Sequence, residues 1–172
     1  MTNRVLSDEE QARKMTGLEL AHLIIRNPGS HEHDTVLALI KTVADETFGE
    51  LFAPRPVPLN FEEDDLSLAW VAVSNAKIVG VVLTHQEWVT DLWVLRESRK
   101  QGVGRRLLLQ GESEIASRGY HTFRLRVVKS NTGAVQFYLR QGWLIAREFA
   151  HEKYHHAMLE MVKSHQTETT PR

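Results

Sequence analysis

The sequence predicts a mixed α/β (α+β) domain in which helices interrupt one central sheet. Three observations predict it. Segments rich in β-forming residues alternate with stretches whose apolar residues recur at helical spacing. Seven strand-like and three helix-like segments follow the order β-α-β-β-β-α-β-α-β-β. The 172 residues, 42% hydrophobic and 25% charged, are enough for one domain with a real core.

The elements follow in chain order. Ser7-Asp8-Glu9-Glu10 has the form of a capping box and predicts a short helix ending near Lys14, an N-terminal addition over residues 1–15. Leu18, Leu20, Leu23 and Ile25 form a short apolar run closed by Asn27-Pro28-Gly29, which predicts the first strand. Val36, Leu37, Ile40, Val43 and Ala44 recur at helical spacing and predict a helix from about Asp34 to Phe48. Three prolines between Pro54 and Pro58 then leave few N–H donors, so a stiff loop is expected. Leu66 to Val73 and Lys77 to Thr84 read as a hairpin around Ser74-Asn75-Ala76, and a fourth strand covers Trp88 to Leu95. Leu107, Leu108, Gly111 and Ile115 share one helical stripe that Gly119 terminates. Phe123, Leu125 and Val127 alternate in a fifth strand, and Thr132 to Arg140 forms a helix closed by Gly142. Strands near Trp143 to Phe149 and Ala157 to Val162 complete a core of about 18–162. Residues 163–172 read as a polar, disordered tail.

Composition narrows the function. A formal net charge of -1 argues against a general nucleic-acid or membrane-surface binder. The absence of cysteine excludes disulfides, thiolate metal sites and a thiol nucleophile. The amino terminus lacks the apolar core of a signal peptide, and no apolar stretch approaches the roughly 20 residues that span a bilayer. A cytoplasmic protein is expected.

The most informative stretch runs from Trp88 to Gly104. A strand leads into Arg99-Lys100-Gln101-Gly102-Val103-Gly104 and then into a helix near Arg105. That order suits a phosphate or pyrophosphate: glycines allow a tight turn, and the unpaired N–H groups of a new helix point at the anion. Competing nucleotide motifs fit less well. A dinucleotide fingerprint needs glycine where Leu107 stands, and no Gly-Lys-Ser/Thr is present.

Taken together, three blocks resemble the GNAT superfamily of acyl-CoA-dependent N-acyltransferases. Arg99 to Gly104 matches its [RQ]-x-x-G-x-[GA] signature, and Thr90-Asp91-Leu92-Trp93-Val94 resembles the strand before it. Asn131-Thr132-Gly133-Ala134-Val135-Gln136-Phe137-Tyr138 with Gly142-Trp143 resembles the family's N-x-x-A-x-x-F-Y block and its G-[FW] ending. The resemblance implies a mostly antiparallel sheet of about seven strands, splayed between strands 4 and 5, with flanking helices. It implies acetyl-CoA as co-substrate, its pantetheine lying in the opening like an added strand against Leu92, Trp93 and Val94. It implies that Arg99, Lys100, Gln101, Gly102, Val103, Gly104 and Arg105 hold the pyrophosphate, that Asn131 contacts the pantetheine or caps its helix, and that the N–H of Val94 or Leu95 polarises the thioester carbonyl. Tyr138 is the implied general acid. The partner is an amine acceptor, either a small molecule or a protein amine. No resident metal, nucleic acid or membrane is expected, and a homodimer is a common assembly in such families.

Two features depart from the pattern. Family members with a proposed base often carry Glu or His at the early strand-4 positions occupied here by Trp88 and Thr90, neither of which is a base. Strand alternation places Glu87 and Asp91 on the face opposite Trp88 and Thr90 unless a bulge intervenes. Proton removal through ordered water is therefore expected, with His85 and Glu50 as loose alternatives. Secondly, His151-Glu152-Lys153-Tyr154-His155 literally matches HExxH, but it lies between two predicted strands and lacks the downstream third ligand. A metallopeptidase is a distant alternative; an acyl-CoA-binding module without turnover is a nearer one.

Overall fold

The computed structural model describes residues 23–59 and 63–165. The elements are β1 (Ile24–Arg26), α1 (His33–Phe52), β2 (Trp70–Ser74), β3 (Lys77–His85), β4 (Trp88–Val94), α2 (Val103–Ser117), β5 (Thr122–Val128), α3 (Thr132–Arg140), β6 (Leu144–Ala150) and β7 (Ala157–Ser164). Their order is the one the sequence predicts. The expected helix after Ser7 and the apolar residues Leu18 and Leu20 lie outside the described residues. No helix among the described residues is long and apolar enough to cross a membrane.

One sheet carries all seven strands in the order β1-β2-β3-β4-β5-β7-β6, with every neighbouring pair antiparallel except β4 and β5. On one face, Val36, Leu39, Ile40 and Val43 of α1 pack on Val71, Val73, Ile78, Val81 and Leu83. On the other, Leu107, Leu108 and Ile115 of α2 and Val135 and Tyr138 of α3 pack on Val82, Val89, Phe123, Leu125 and Leu159. Burying each of the fully enclosed Leu107, Leu108 and Ile115 side chains contributes about 1.5–3 kcal/mol. Close approach is built in at Gly80 on β3. A Cβ there would lie 2.9 Å from Leu107 Cδ1 and 3.0 Å from the Trp93 carbonyl oxygen.

Three boundaries differ from the sequence expectation, each for a visible reason. Residues 63–68 form a 3-10 turn rather than the start of β2: Leu66 is buried while Leu68 is 64% exposed, and Ala69 N–H bonds Leu66 O at 3.2 Å. Helix α1 continues past Gly49 to Phe52, its last carbonyls taken up as Ala53 N–H bonds Gly49 O at 3.0 Å, before Pro54 ends it. Lys163 and Ser164 belong to β7 rather than to a disordered tail. The Lys163 ammonium lies 2.7 and 2.9 Å from the carboxylate of Glu112 on α2, which also accepts the Trp143 indole N–H at 2.9 Å. That buried carboxylate ties the last strand to the helix.

The sheet opens between its two parallel strands. β4 and β5 are paired only at Trp88↔Arg124 and Val89↔Leu125, with Arg124 N–H also bonded to Glu87 O at 2.9 Å. The register of β3 on β4 shifts just there, from Thr84↔Val89 to Leu83↔Asp91, leaving Thr90 as an extra residue. Such a bulge bends the strand and raises its twist, which turns the remainder of β4 away from β5. It also resets the alternation. Val89, Leu92 and Val94 pack toward α2, whereas Trp93 packs toward α1. Asp91 joins the α1 face, where its carboxylate accepts the Trp93 indole N–H at 2.9 Å.

Candidate active site

The opening between β4 and β5 gathers most of the residues singled out in the sequence. Leu95 N–H bonds Val79 O at 3.0 Å, so that donor is consumed by the sheet. In an antiparallel ladder successive residues direct their main-chain groups to opposite sides. Trp93, paired with Val81, therefore turns its backbone toward β3, and Leu92 and Val94 turn theirs toward the opening. The Trp93 side chain meets Phe48 of α1 edge to face at 6.2 Å. The Val94 carbonyl accepts Arg99 Nε at 3.0 Å, which leaves the Val94 N–H as the directed donor at this edge.

The turn beyond β4 is shaped by backbone conformation. Lys100 and Gly102 both have positive φ, 59° and 83°, and Gly102 is the N-cap of α2 without any side-chain cap. The first intrahelical bond runs from Arg106 N–H to Gly102 O at 3.1 Å. The N–H groups of Val103, Gly104 and Arg105 thus begin the helix without intrahelical acceptors, as anion binding at a helix start requires. Gly104 lies at the junction with α3: a Cβ there would stand 3.6 Å from Phe137 and 3.7 Å from Val94. Arg99 and Gln101 brace the turn. Arg99 reaches Glu46 of α1 at 3.8 Å, and the Gln101 amide donates to Glu97 O at 2.7 Å. Lys100 and Arg105 are exposed beside it.

Across the opening, Asn131 caps α3, its side-chain oxygen accepting Ala134 N–H at 3.2 Å. With Ser130, Thr132 and Gly133 it faces Thr47, Phe48 and Leu51 of α1 over a recess of about 220 Å³. Tyr138 is buried on α3, its ring against Phe137 at 5.2 Å and Trp143 at 6.1 Å. Burial, and then the negative charge of Asp91, push its phenol well above the ordinary tyrosine range. The electrostatic link between Asp91 on β4 and Tyr138 on α3 spans the two sides of the split.

A larger recess of about 430 Å³ lies between the end of α1 and the β6–β7 turn, lined by Leu51, Phe52, Pro54, Arg55, Tyr154 and His156 among others. Phe52 meets Tyr154 and His156 edge to face at 5.0 and 5.5 Å. Burial and neighbouring His151 hold His156 below the usual histidine range. The HExxH residues lie in this turn and not on a helix. His155 has φ 60°, and His151 Nδ1 accepts the N–H groups of Lys153 and Tyr154 at 3.2 and 3.3 Å. Among the described residues, no three His, Cys, Asp or Glu side chains converge as metal ligands.

Two polar clusters escaped the sequence reading. One is Glu112 with Trp143 and Lys163. The other is Glu160, which takes hydrogen bonds from Arg124 and Arg147 and lies 3.7 Å from Arg126. Both had a visible signal, a lone glutamate in an otherwise apolar stripe or strand.

A sheet split between parallel strands, followed by a left-handed glycine at a helix start, decides the relationship. The chain belongs to the Acetyltransferase (GNAT) family. The family model matches residues 37–143, more than half of the chain. Solved structures share the fold. The PaiA N-acetyltransferase of Thermoplasma acidophilum, in complex with coenzyme A, superposes with a TM-score of 0.68 at 15% identity, covering 83% of this chain and 98% of that one. The apo form of YjaB from Escherichia coli gives 0.65 at 23% identity, covering 81% and 96%. The ribosomal-protein-S18-alanine N-acetyltransferase of Escherichia coli gives 0.60 at 18% identity, covering 87% and 98%. No curated protein sequence matches significantly.

Proposed function

We propose that this GNAT protein is an N-acetyltransferase that moves the acetyl group of acetyl-CoA to a primary amine in one direct step. The observation that carries the reading is the opening itself: two paired positions between β4 and β5, then an unpaired edge ending at a helix start capped by Gly102. An edge of that kind matches the amide-bearing arm of an acyl-CoA, and the coenzyme A bound by the PaiA relative supports the same ligand. Acetyl-CoA supplies an activated thioester.

The residues then have distinct tasks. Leu92 and Val94 pair with the arm through their main chain, and Asn131 contacts it from α3. Gly102, Val103, Gly104 and Arg105 hold the pyrophosphate through N–H groups, with Lys100 adding charge and Arg99 and Gln101 keeping the turn in shape. Val94 N–H bonds the carbonyl oxygen and stabilises the charge that grows there. The amine nitrogen forms a bond to the carbonyl carbon, the carbon–sulfur bond breaks, and Tyr138 gives its proton to the departing sulfur. The amine proton leaves through ordered water. Burial and Asp91 keep the Tyr138 phenol protonated through neutral pH, so the proton is present to be given, and they also make the phenol a weaker acid than a free tyrosine.

Thiol release from acetyl-CoA across a panel of amines tests the reading, with turnover of at least one amine expected. The presence of Trp88 and Thr90 where a base is common favours one alternative, a binding module without turnover. Acetyl-CoA binding with no thiol released from any amine would establish that alternative.

A further inference from the structure

Among the described residues, α1 packs on its face of the sheet over β2 to β4. Beyond it, β5, β7 and β6 present a row of charged side chains. Arg126 and Arg147 flank Glu160 in register, and Arg124 lies one pleat away on β5. Glu160 is 6% exposed, while the side chains of Arg124, Arg126 and Arg147 are 38%, 52% and 56% exposed. One buried carboxylate thus organises three guanidiniums and neutralises one of them. Each guanidinium carries five N–H donors, and the hydrogen bonds to Glu160 use one on Arg124 and two on Arg147. The remaining donors belong to side chains that are more than a third exposed on three paired strands.

Aromatic rings fix the platform further. Arg126 sits 4.8 Å over Trp88 and 5.4 Å over Phe149, and Arg147 sits 4.8 Å over Phe149. Stacked guanidiniums with unused N–H groups are suited to bidentate recognition of a carboxylate or phosphate. Position matters as much as charge. Trp88 and Arg124 are paired one residue before β4 and β5 part after Val89↔Leu125, and Arg126, the second residue after Arg124, stands about 7 Å farther along β5 toward the opening. His156 of the 430 Å³ recess immediately precedes β7 and lies four residues before Glu160, about 13 Å along an extended chain. An acceptor lying across this face would have its amine at the split and its far end over the arginines or in the recess.

We infer that the acceptor is a low-molecular-weight amine bearing a carboxylate or phosphate, and that Arg126, Arg147 and Arg124 hold that anionic group. The inference rests on the transferase reading and specifies its substrate class. A second copy of the chain suits this face poorly, because a two-fold contact would set like charge against like charge. A recess of about 430 Å³ is of the size that small ligands occupy.

Matched amines test it. 5-Aminopentanoate and 5-aminopentanamide have nearly the same amine but differ in charge at the far end, as do 3-aminopropyl phosphate and 3-aminopropanol. Thiol release from acetyl-CoA should show kcat/KM at least tenfold higher for the anionic member of one pair. Arg147→Gln should remove most of that preference through the acceptor KM, leaving the neutral amine and the KM for acetyl-CoA unchanged, and Arg147→Lys should restore part of it. Equal kcat/KM within both pairs, with turnover intact, would overturn the substrate class while leaving the transferase standing. So would a preference that survives Arg147→Gln and Arg126→Gln together, or one confined to peptides with an acidic second residue. If no amine supports thiol release, calorimetry of 5-aminopentanoate and 5-aminopentanamide with the CoA-bound protein reads the face directly. Binding of the acid alone supports the arginine site; equal binding or none refutes it.

Discussion

Replacing Tyr138 with phenylalanine separates a catalytic phenol from a packing ring. The substitution removes one oxygen and keeps the ring contacts with Phe137 and Trp143, 5.2 and 6.1 Å away between centroids. The fold should therefore lose no more than about 1 kcal/mol, the usual net worth of one polar group. Catalysis should lose far more. A positioned proton donor is worth about 10²–10⁴ in rate. At 1.36 kcal/mol per decade that is about 2.7–5.4 kcal/mol of barrier. The assay is thiol release under saturating acetyl-CoA, with a thermal melt and an acetyl-CoA titration on the same preparation. A kcat within threefold of the parent, with melt and titration unchanged, would show that Tyr138 only packs. The pH profile adds a second reading. Burial and the charge of Asp91 raise the phenol pKa, so an alkaline limb due to its ionisation lies above pH 10 in the parent. Asp91→Asn removes the negative charge and should draw that limb to lower pH. Because the folded phenol ionises less readily than the unfolded one, the fold should also lose stability as pH rises above about 10.

The carboxylate of Glu32 is lowered to about 2 by the Arg26 guanidinium and the Gly29 N–H. Its stabilising contribution is present above about 4.5 and is lost as pH falls toward 2, so the parent and Glu32→Gln should converge in melting temperature across that window. Lys163→Met strands the buried Glu112 carboxylate with only the Trp143 indole as hydrogen-bond donor, at a cost near the lower end of about 3–5 kcal/mol because the lysine is 24% exposed. Adding Glu112→Gln should recover much of that loss in a chemical denaturation series; a further loss would contradict the pairing. Gly102→Ala forces an L side chain to φ 83°, costing about 1–2 kcal/mol, and should weaken acetyl-CoA binding in calorimetry beyond what the melt explains.

Much of this architecture could be read from residue order. The α3 boundaries, Thr132–Arg140, follow from a cap at Asn131 and a left-handed glycine at 142, both local signals. The turn at Gly102 is local in the same sense. What could not be read depends on partners far apart in sequence. Lys163 looked like tail until β7 brought it to Glu112, 51 residues away. The residues from Leu66 to Ala69 run straight into the β-forming Trp70-Val71-Ala72-Val73 and read as its start, but Leu66 packs into the α1 core and the chain there forms a 3-10 turn. Arg124 and Arg126 alternate visibly with Phe123, Leu125 and Val127. Their meaning appears only when β7 supplies Glu160 and β6 supplies Arg147.

The bulge at Thr90 links the missing base to the arginine face. Strict alternation would set Asp91 opposite Trp88, whereas the extra residue brings both to the α1 side of β4. Trp88 is then committed to Arg124 and Arg126, whose guanidiniums lie 5.9 and 4.8 Å from its ring. A carboxylate at position 88 would stand beside two guanidiniums, which would hold it ionised and weaken it as a base. Trp88→Glu should therefore fail to raise kcat near neutral pH, and it should instead reduce use of anionic amines by neutralising the arginines. An increase in kcat at pH 7, with an acidic limb reporting the new carboxylate, would refute this and show that the site lacks a base only by residue choice. On the proposed mechanism, a face that recognises anions and a general base at position 88 exclude one another, and proton removal passes to water.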